Sequence, residues 1–97
     1  MEVEIHTLHF DADAKLEDFI KSKLSKIDKL SDHIISGDVT LKLNNSKTLN
    51  NKVVEVKLNA PGKDFFVRKQ SKTFEEAIDA SVSALKKQLE KYKKKNC

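Results

Sequence analysis

The chain has 97 residues, a length that fits one domain, and 35 % of them are charged. No apolar run reaches the roughly 18 residues that a membrane-spanning helix needs, and the acidic, alternating residues 1–6 do not resemble a signal peptide. The single cysteine, Cys97, cannot form an internal disulfide, which fits a reducing cytoplasm. The net charge is +4, and the last sixteen residues carry six lysines against one glutamate. A polyanionic partner is therefore the first expectation.

The first two elements are an alternating segment and a helical one. Val3, Ile5 and, at its end, Leu8 mark a first strand. Apolar residues then recur at spacings of three and four over residues 16–30, within an arc of about 140° at ~100° per residue. Asp13 is a suitable N-cap, so the pattern predicts a helix over residues 13–30.

Three further alternating segments predict the second, third and fourth strands. Their inward residues are Val39, Leu41 and Leu43; Val54, Val56 and Leu58; and Phe65 and Val67. The Asn-rich residues 44–52 predict the long loop between the second and third strands. Pro61 and Gly62, at the centre of residues 60–63, predict a type II turn between the third and fourth strands.

The last segment predicts a second helix over residues 73–94. Its apolar or small face consists of Phe74, Ala77, Ile78, Ser81, Val82, Leu85, Leu89 and Tyr92. Thr73 and Glu76 form a capping box at its start. The order β-α-β-β-β-α, with one apolar face on each helix and on the sheet, predicts a two-layer α+β sandwich over the single domain 1–97. Both helices pack on one face of a four-stranded, mostly antiparallel sheet.

Motifs for catalysis and for metal binding are weak. The chain has two glycines and no Gly-rich phosphate loop, and no Ser or Cys nucleophile lies in a recognisable turn motif. Asp11 and Asp13 beside the helix start are explained as caps. His6 and His9 lie near these acids, but residues three apart on a strand point to opposite faces. We therefore expect no enzymatic activity, cofactor, metal site or small-molecule substrate.

Lysines on the two predicted helices are more informative. Lys87, Lys91 and Lys94 follow one another at i, i+4 and i+7, within about 60° on one side of the second helix. Lys23 lies inside the apolar stripe of the first helix, so its stem must follow apolar surface while its ammonium emerges at an edge, with Lys26 nearby. The pattern predicts a cationic groove between the helices, spaced for RNA phosphates. A solvated helix face that only keeps the protein soluble stays open as an alternative.

Nearly the whole chain resembles the short ribosome hibernation-promoting factors and ribosome-associated translation inhibitors of bacteria, which belong to the sigma-54 modulation protein family. Three segments carry the resemblance: Leu16-x-x-Phe19-Ile20-x-x-Lys23-Leu24-x-Lys26-Ile27, Ala77-Ile78-Asp79, and Leu85-x-Lys87-Gln88-Leu89-x-Lys91-Tyr92-Lys93. The third segment is the most specific. The family often has Asp-Met-Tyr before the second helix, where this chain departs with residues 73–75, Thr-Phe-Glu.

The resemblance implies a cytoplasmic stress or stationary-phase factor, not an enzyme, with a fold similar to double-stranded-RNA-binding domains. Members of the family bind the small ribosomal subunit, contact 16S rRNA and overlap the mRNA path and the tRNA sites, so translation is inhibited. The resemblance implies RNA binding by Lys23, Lys26, Lys87 and Lys91, with Lys93 also fitting; charge alone adds Lys86 and Lys94. Long members carry a further C-terminal domain through which they dimerise ribosomes, and we expect this chain to have none. A second ribosome-modulating factor is therefore a partner only if the chain promotes such dimers.

Two other functions stay open. A general double-stranded-RNA-binding protein acting off the ribosome would use the same lysines, and competition by tRNA and mRNA would distinguish it. A protein-interaction module would use the exposed sheet face, which the alternation predicts at Thr40, Lys42, Glu55, Lys57 and Lys69. No membrane partner is predicted.

Overall fold

The computed structural model describes residues 1–8, 11–30, 33–44 and 51–95, with side chains as far as residue 92. The elements, in chain order, are β1 Glu2–Leu8, α1 Ala14–Leu30, β2 Ser36–Leu43, β3 Lys52–Ala60, β4 Lys63–Ser71 and α2 Phe74–Lys95. This is the predicted β-α-β-β-β-α order. Strand β3 begins at Lys52, which the sequence placed in the preceding loop, and residues 45–50 of that predicted loop lie outside the described residues.

The sheet has the strand order β1-β2-β3-β4. Strand β1 pairs with β2 in parallel, and the other two pairings are antiparallel, so the sheet is mostly antiparallel as predicted. Strands β1, β2 and β4 consequently point the same way. Because α1 follows β1 and α2 follows β4, both helices begin at the same end of the sheet and run back along it in the same direction.

Local polar groups begin both helices and close one turn. The Asp13 Oδ1 accepts a hydrogen bond from the N–H of Leu16 at 2.8 Å, and the Thr73 Oγ1 accepts one from the N–H of Glu76 at 3.1 Å, so both predicted N-caps are present. The other half of the predicted capping box, a bond from the N–H of Thr73 to the Glu76 carboxylate, is absent among the described residues. Gly62 has a φ of +76°, as the third residue of a type II turn requires. No helix in the described part of the chain is long and apolar enough to cross a membrane.

Both helices pack on one face of the sheet, as predicted, and the core lies between the two layers. Its buried residues are Leu16, Ile20, Leu24, Ile27, Ile34, Val39, Leu41, Val54, Val56, Leu58, Phe65, Val67, Ala77, Ile78, Val82, Leu85 and Leu89. Leu8 is the last residue of β1, as predicted, and it lies on the face opposite Val3 and Ile5, where it is 46 % exposed. The predicted position of Lys69 on the exposed sheet face was wrong, because Lys69 shares the inner face of β4 with Val67.

Candidate nucleic-acid interface

Lys23 lies where α1 meets α2, and it has an acidic neighbour that the sequence reasoning missed. Its Nζ is 2.9 Å from the Oδ1 of Asp79 on α2, and its side chain is 27 % exposed. The same ammonium lies 5.3 Å from the centre of the Phe19 ring. The ammonium therefore reaches an edge of the apolar surface, as predicted, but its charge is partly neutralised there. Helical spacing predicts the direction of Lys23 around α1, but it does not predict which residue of α2 lies opposite.

The contact between Lys23 and Asp79 also fixes how far α2 extends beyond α1. At a rise of 1.5 Å per residue, Lys26 lies about 4.5 Å further along α1, which ends about 10 Å beyond Lys23. On α2, Lys87 and Lys91 lie about 12 and 18 Å beyond Asp79. The second helix thus continues past the end of the first, and these two lysines lie on that continuation.

The direction of each lysine around α2 follows from the same helical geometry. At 100° per residue, Lys86 lies about 20° around the axis from Asp79, Lys87 about 80° and Lys91 about 120°. Lys86 is therefore on the flank nearest α1, whereas Lys87 and Lys91 are exposed away from it. The sequence predicted that the lysines of the two helices line one groove, but in the structure they do not. They form an open surface, which we call the helix lysine surface: Lys26, Lys86, Lys87 and Lys91.

Ion pairing distinguishes the helix lysine surface from the cations on the outer face of the sheet. On the outer face of the sheet, Lys42 and Arg68 lie 3.3 and 3.5 Å from the Glu55 carboxylate, and Lys57 lies 3.9 Å from that of Asp64. None of the four helix lysines has a carboxylate within 4 Å among the described residues. The outer face of the sheet therefore offers a polyanion less unpaired positive charge than the helix lysine surface does.

Two of the lysines selected from the sequence cannot be placed in this way. The backbone of α2 continues through Lys95, so Lys93 and Lys94 belong to the same helix. Their side chains lie outside the described ones, and their roles stay predictions.

The histidine near the N-terminus has neighbours other than those considered from the sequence. The His6 Nε2 is 3.6 Å from the Glu4 Oε2 and 3.9 Å from the Asp38 Oδ1 on the outer face of the sheet. His9 lies outside the described residues. The possible ligand atoms of His6, Glu4 and Asp38 lie within 4.8 Å of one another, but all three side chains are more than two-fifths exposed. This geometry is that of a solvated ionic cluster on a strand surface.

Comparison with known proteins gives one family and a consistent fold. The model of the family described as "Sigma 54 modulation protein / S30EA ribosomal protein" matches residues 3–96. No curated protein matches the sequence. A ribosomal subunit interface protein from Coxiella burnetii superposes with a TM-score of 0.86 at 22 % identity, over 96 % of this chain and 98 % of that one. The N-terminal domain of Thermus thermophilus Protein Y gives 0.81 at 20 % identity, over 95 % and 99 %.

Proposed function

Because this chain belongs to the sigma-54 modulation protein / S30EA ribosomal protein family, we propose that it is a ribosome-binding hibernation factor acting in the cytoplasm. Its proposed partner is the 16S rRNA of the small ribosomal subunit. Binding there occupies the channel that mRNA and tRNA use, and translation is inhibited under stress or in stationary phase. The chemistry required is recognition of phosphates, with no bond made or broken.

The observation that carries this proposal is the absence of ion pairs on the helix lysine surface within the described part of the chain. An exposed ammonium with no carboxylate within 4 Å gains more from contact with a phosphate, and from release of the counterions around the RNA, than one already in an ion pair. Lysine acts as a compact point charge, so it recognises phosphate position and not base identity. We therefore expect recognition of folded rRNA by shape and charge, with little base specificity.

The proposed inhibition is steric. The chain measures 45 × 25 × 19 Å and has a continuous core between its two layers, so it enters a channel as a folded body. Lysines on the helix layer hold that body against rRNA phosphates. When a folded chain of this size is bound in the channel, mRNA and tRNA cannot occupy the same space.

Charge reversal on α2 tests the proposal directly. In the double variant Lys87→Glu with Lys91→Glu, we expect co-sedimentation with purified ribosomes to be lost at physiological salt, because two phosphate contacts become repulsive. Both side chains are exposed and have no carboxylate within 4 Å among the described residues, so the melting temperature should change by no more than a few degrees.

A matched control separates the site from net charge alone. Lys15→Glu with Lys72→Glu changes the charge by the same amount, at exposed positions beside the starts of α1 and α2. This control should still co-sediment with ribosomes. If the α2 variant keeps binding, or if the control loses it equally, the helix lysine surface is not the binding site.

Competition separates the ribosomal function from general double-stranded-RNA binding. Purified small subunits loaded with mRNA and tRNA should bind the chain poorly, since all three occupy one channel. A general duplex binder would attach equally to loaded and empty subunits, and it would bind a plain RNA duplex with similar affinity.

A further inference from the structure

Strand β1 is one edge of the sheet, and half of its backbone groups point away from it. The N–H of Glu2 donates to the carbonyl of Ile35 at 3.2 Å, and the parallel register pairs Glu2 with Ser36. In a parallel pair each strand directs the groups of every second residue toward its neighbour. The N–H and C=O groups of Val3, Ile5 and Thr7 therefore point outward, and within the described part of the chain no hydrogen bond reaches them.

At the opposite edge of the sheet, formed by β4, one outward backbone group already has a hydrogen-bond partner. On β4, the carbonyl of Phe66 accepts a hydrogen bond at 3.2 Å from the side-chain amide of Gln88, which reaches across from α2. Natural sheets commonly cover an edge in this way to prevent pairing with another chain. The bond from Gln88 occupies one outward carbonyl of β4, whereas no hydrogen bond in the described part of the chain reaches the outward groups of β1.

The two flanks of β1 differ in chemistry. On the outer face, Glu2 and Glu4 are exposed, and Asp38 lies directly across from Glu4 on β2. On the inner face, Val3 and Ile5 pack against the core but are only partly buried. A shallow groove continues beside them, and it is lined by Met1, Val3, Lys21, Leu24, Ser25 and Asp28.

We propose that the β1 edge binds an extended segment of a partner protein in which apolar residues alternate with lysine or arginine. Such a segment would add a fifth strand through the outward groups of Val3, Ile5 and Thr7. Its apolar side chains would cover the groove beside Val3 and Ile5, and its basic side chains would lie across from Glu2 and Glu4.

The charge of the β1 edge favours a basic protein segment over RNA and over a second copy of the chain. RNA is disfavoured because the outer flank carries three carboxylates, those of Glu2, Glu4 and Asp38, beside a single histidine, His6. A second copy of the chain would bring its own Glu2 and Glu4 to the shared outer face, where like charges repel. A basic strand is the occupant that satisfies both the open backbone groups and the acidic flank. This site is separate from the helix lysine surface and does not depend on ribosome binding.

The probe is a seven-residue peptide, the length of β1, with lysine and valine alternating from a lysine at each end and with blocked termini. Added to the isotope-labelled chain, it should slow amide exchange at Val3, Ile5 and Thr7 by about tenfold or more, because these amides acquire acceptors. A peptide with glutamate in place of every lysine should have no effect. Equal binding of both peptides, or protection along β4 or the helices instead, would contradict the proposal.

Two variants keep the test independent of folding. Thr7→Pro removes an outward N–H that pairs with nothing on β2, so it should abolish the protection at Val3 and Ile5. If that variant does not fold, Glu2→Lys with Glu4→Lys alters only exposed side chains. This charge reversal should transfer binding from the lysine peptide to the glutamate peptide. If the lysine peptide still binds the reversed chain with unchanged affinity, the acidic flank does not select the partner.

Discussion

Lys23 occupies a position where the helical pattern of α1 calls for an apolar side chain, and Asp79 makes that position tolerable. A lysine head that loses water without a counter-charge costs several kcal/mol, whereas this ammonium keeps 27 % side-chain exposure, a carboxylate at 2.9 Å and an aromatic face. The ion pair of Lys23 and Asp79 therefore connects α1 to α2. It also competes with any phosphate that approaches Lys23.

Replacing Asp79 with asparagine should have opposite effects on stability and on binding. The free energy of unfolding should fall by less than about 1 kcal/mol, because Asp79 is 55 % exposed and solvent screens the pair. Ribosome affinity should rise severalfold, since Lys23 then has no carboxylate beside it. Urea denaturation and co-sedimentation measure the two quantities.

The control for this change is Asp18→Asn, which removes one negative charge from an exposed site near the start of α1. It should leave ribosome affinity close to that of the parent chain. If Asp79→Asn weakens ribosome binding, then the carboxylate orients Lys23 toward the RNA and does not compete with it.

At the scale of the elements, local sequence signals located both helices to within one residue. Asp13 and Thr73 supply side-chain caps whose hydrogen bonds reach only three residues, so the sequence alone contains them. The wrong face assignment was that of Lys69, which was predicted on the exposed face of the sheet. Residues two apart on a strand share a face, so Lys69 lies on the inner face with Val67.

The geometry of the candidate interface was less predictable than the fold because it depends on how two helices pack. The lysine types and their helical spacing are visible in the sequence. The register of α1 against α2 is set by tertiary packing, and only the contact of Lys23 with Asp79 reveals it. That register places Lys87 beyond the end of α1 and turns the expected groove into an open surface.

Gln88, in the most specific of the three family-like segments, has a structural role at the edge of β4. Its amide donates to the Phe66 carbonyl at 3.2 Å. Gln88→Ala should lower the free energy of unfolding by about 0.5–1 kcal/mol, the usual net value of one such hydrogen bond. Urea denaturation measures the change, and analytical ultracentrifugation shows whether the uncovered edge then pairs with another copy.

Gln88→Glu is the informative companion to that change. It keeps the side-chain length but places a carboxylate, which cannot donate, beside a carbonyl oxygen, so it should destabilise the chain at least as much as alanine does. If both variants keep the stability and the oligomeric state of the parent chain, the contact with β4 contributes nothing and the role of Gln88 lies elsewhere.

Unpaired cations are unevenly distributed over the described part of the molecule. Cations on the outer sheet face are paired with Glu55 and Asp64, and β1 adds exposed carboxylates, whereas the helix lysine surface has no carboxylate within 4 Å of its ammonium groups, although acids such as Glu75 and Glu90 are exposed on α2. A polyanion therefore attracts one side of the chain and orients it before contact. The sheet face and the β1 edge would then point away from the RNA, where a second partner could reach them.

Salt dependence measures how many of these lysines meet phosphates. If the four residues of the helix lysine surface each neutralise one phosphate, the logarithm of ribosome affinity should fall against the logarithm of salt concentration with a slope of about −3 to −4. Replacing Lys87 or Lys91 singly with glutamine should make that slope shallower by about one. Lys57→Gln, on the sheet face beside Asp64, should leave it unchanged. A slope near zero, or an equal effect of Lys57→Gln, would mean that the chain holds the ribosome by contacts other than phosphates on its helix layer.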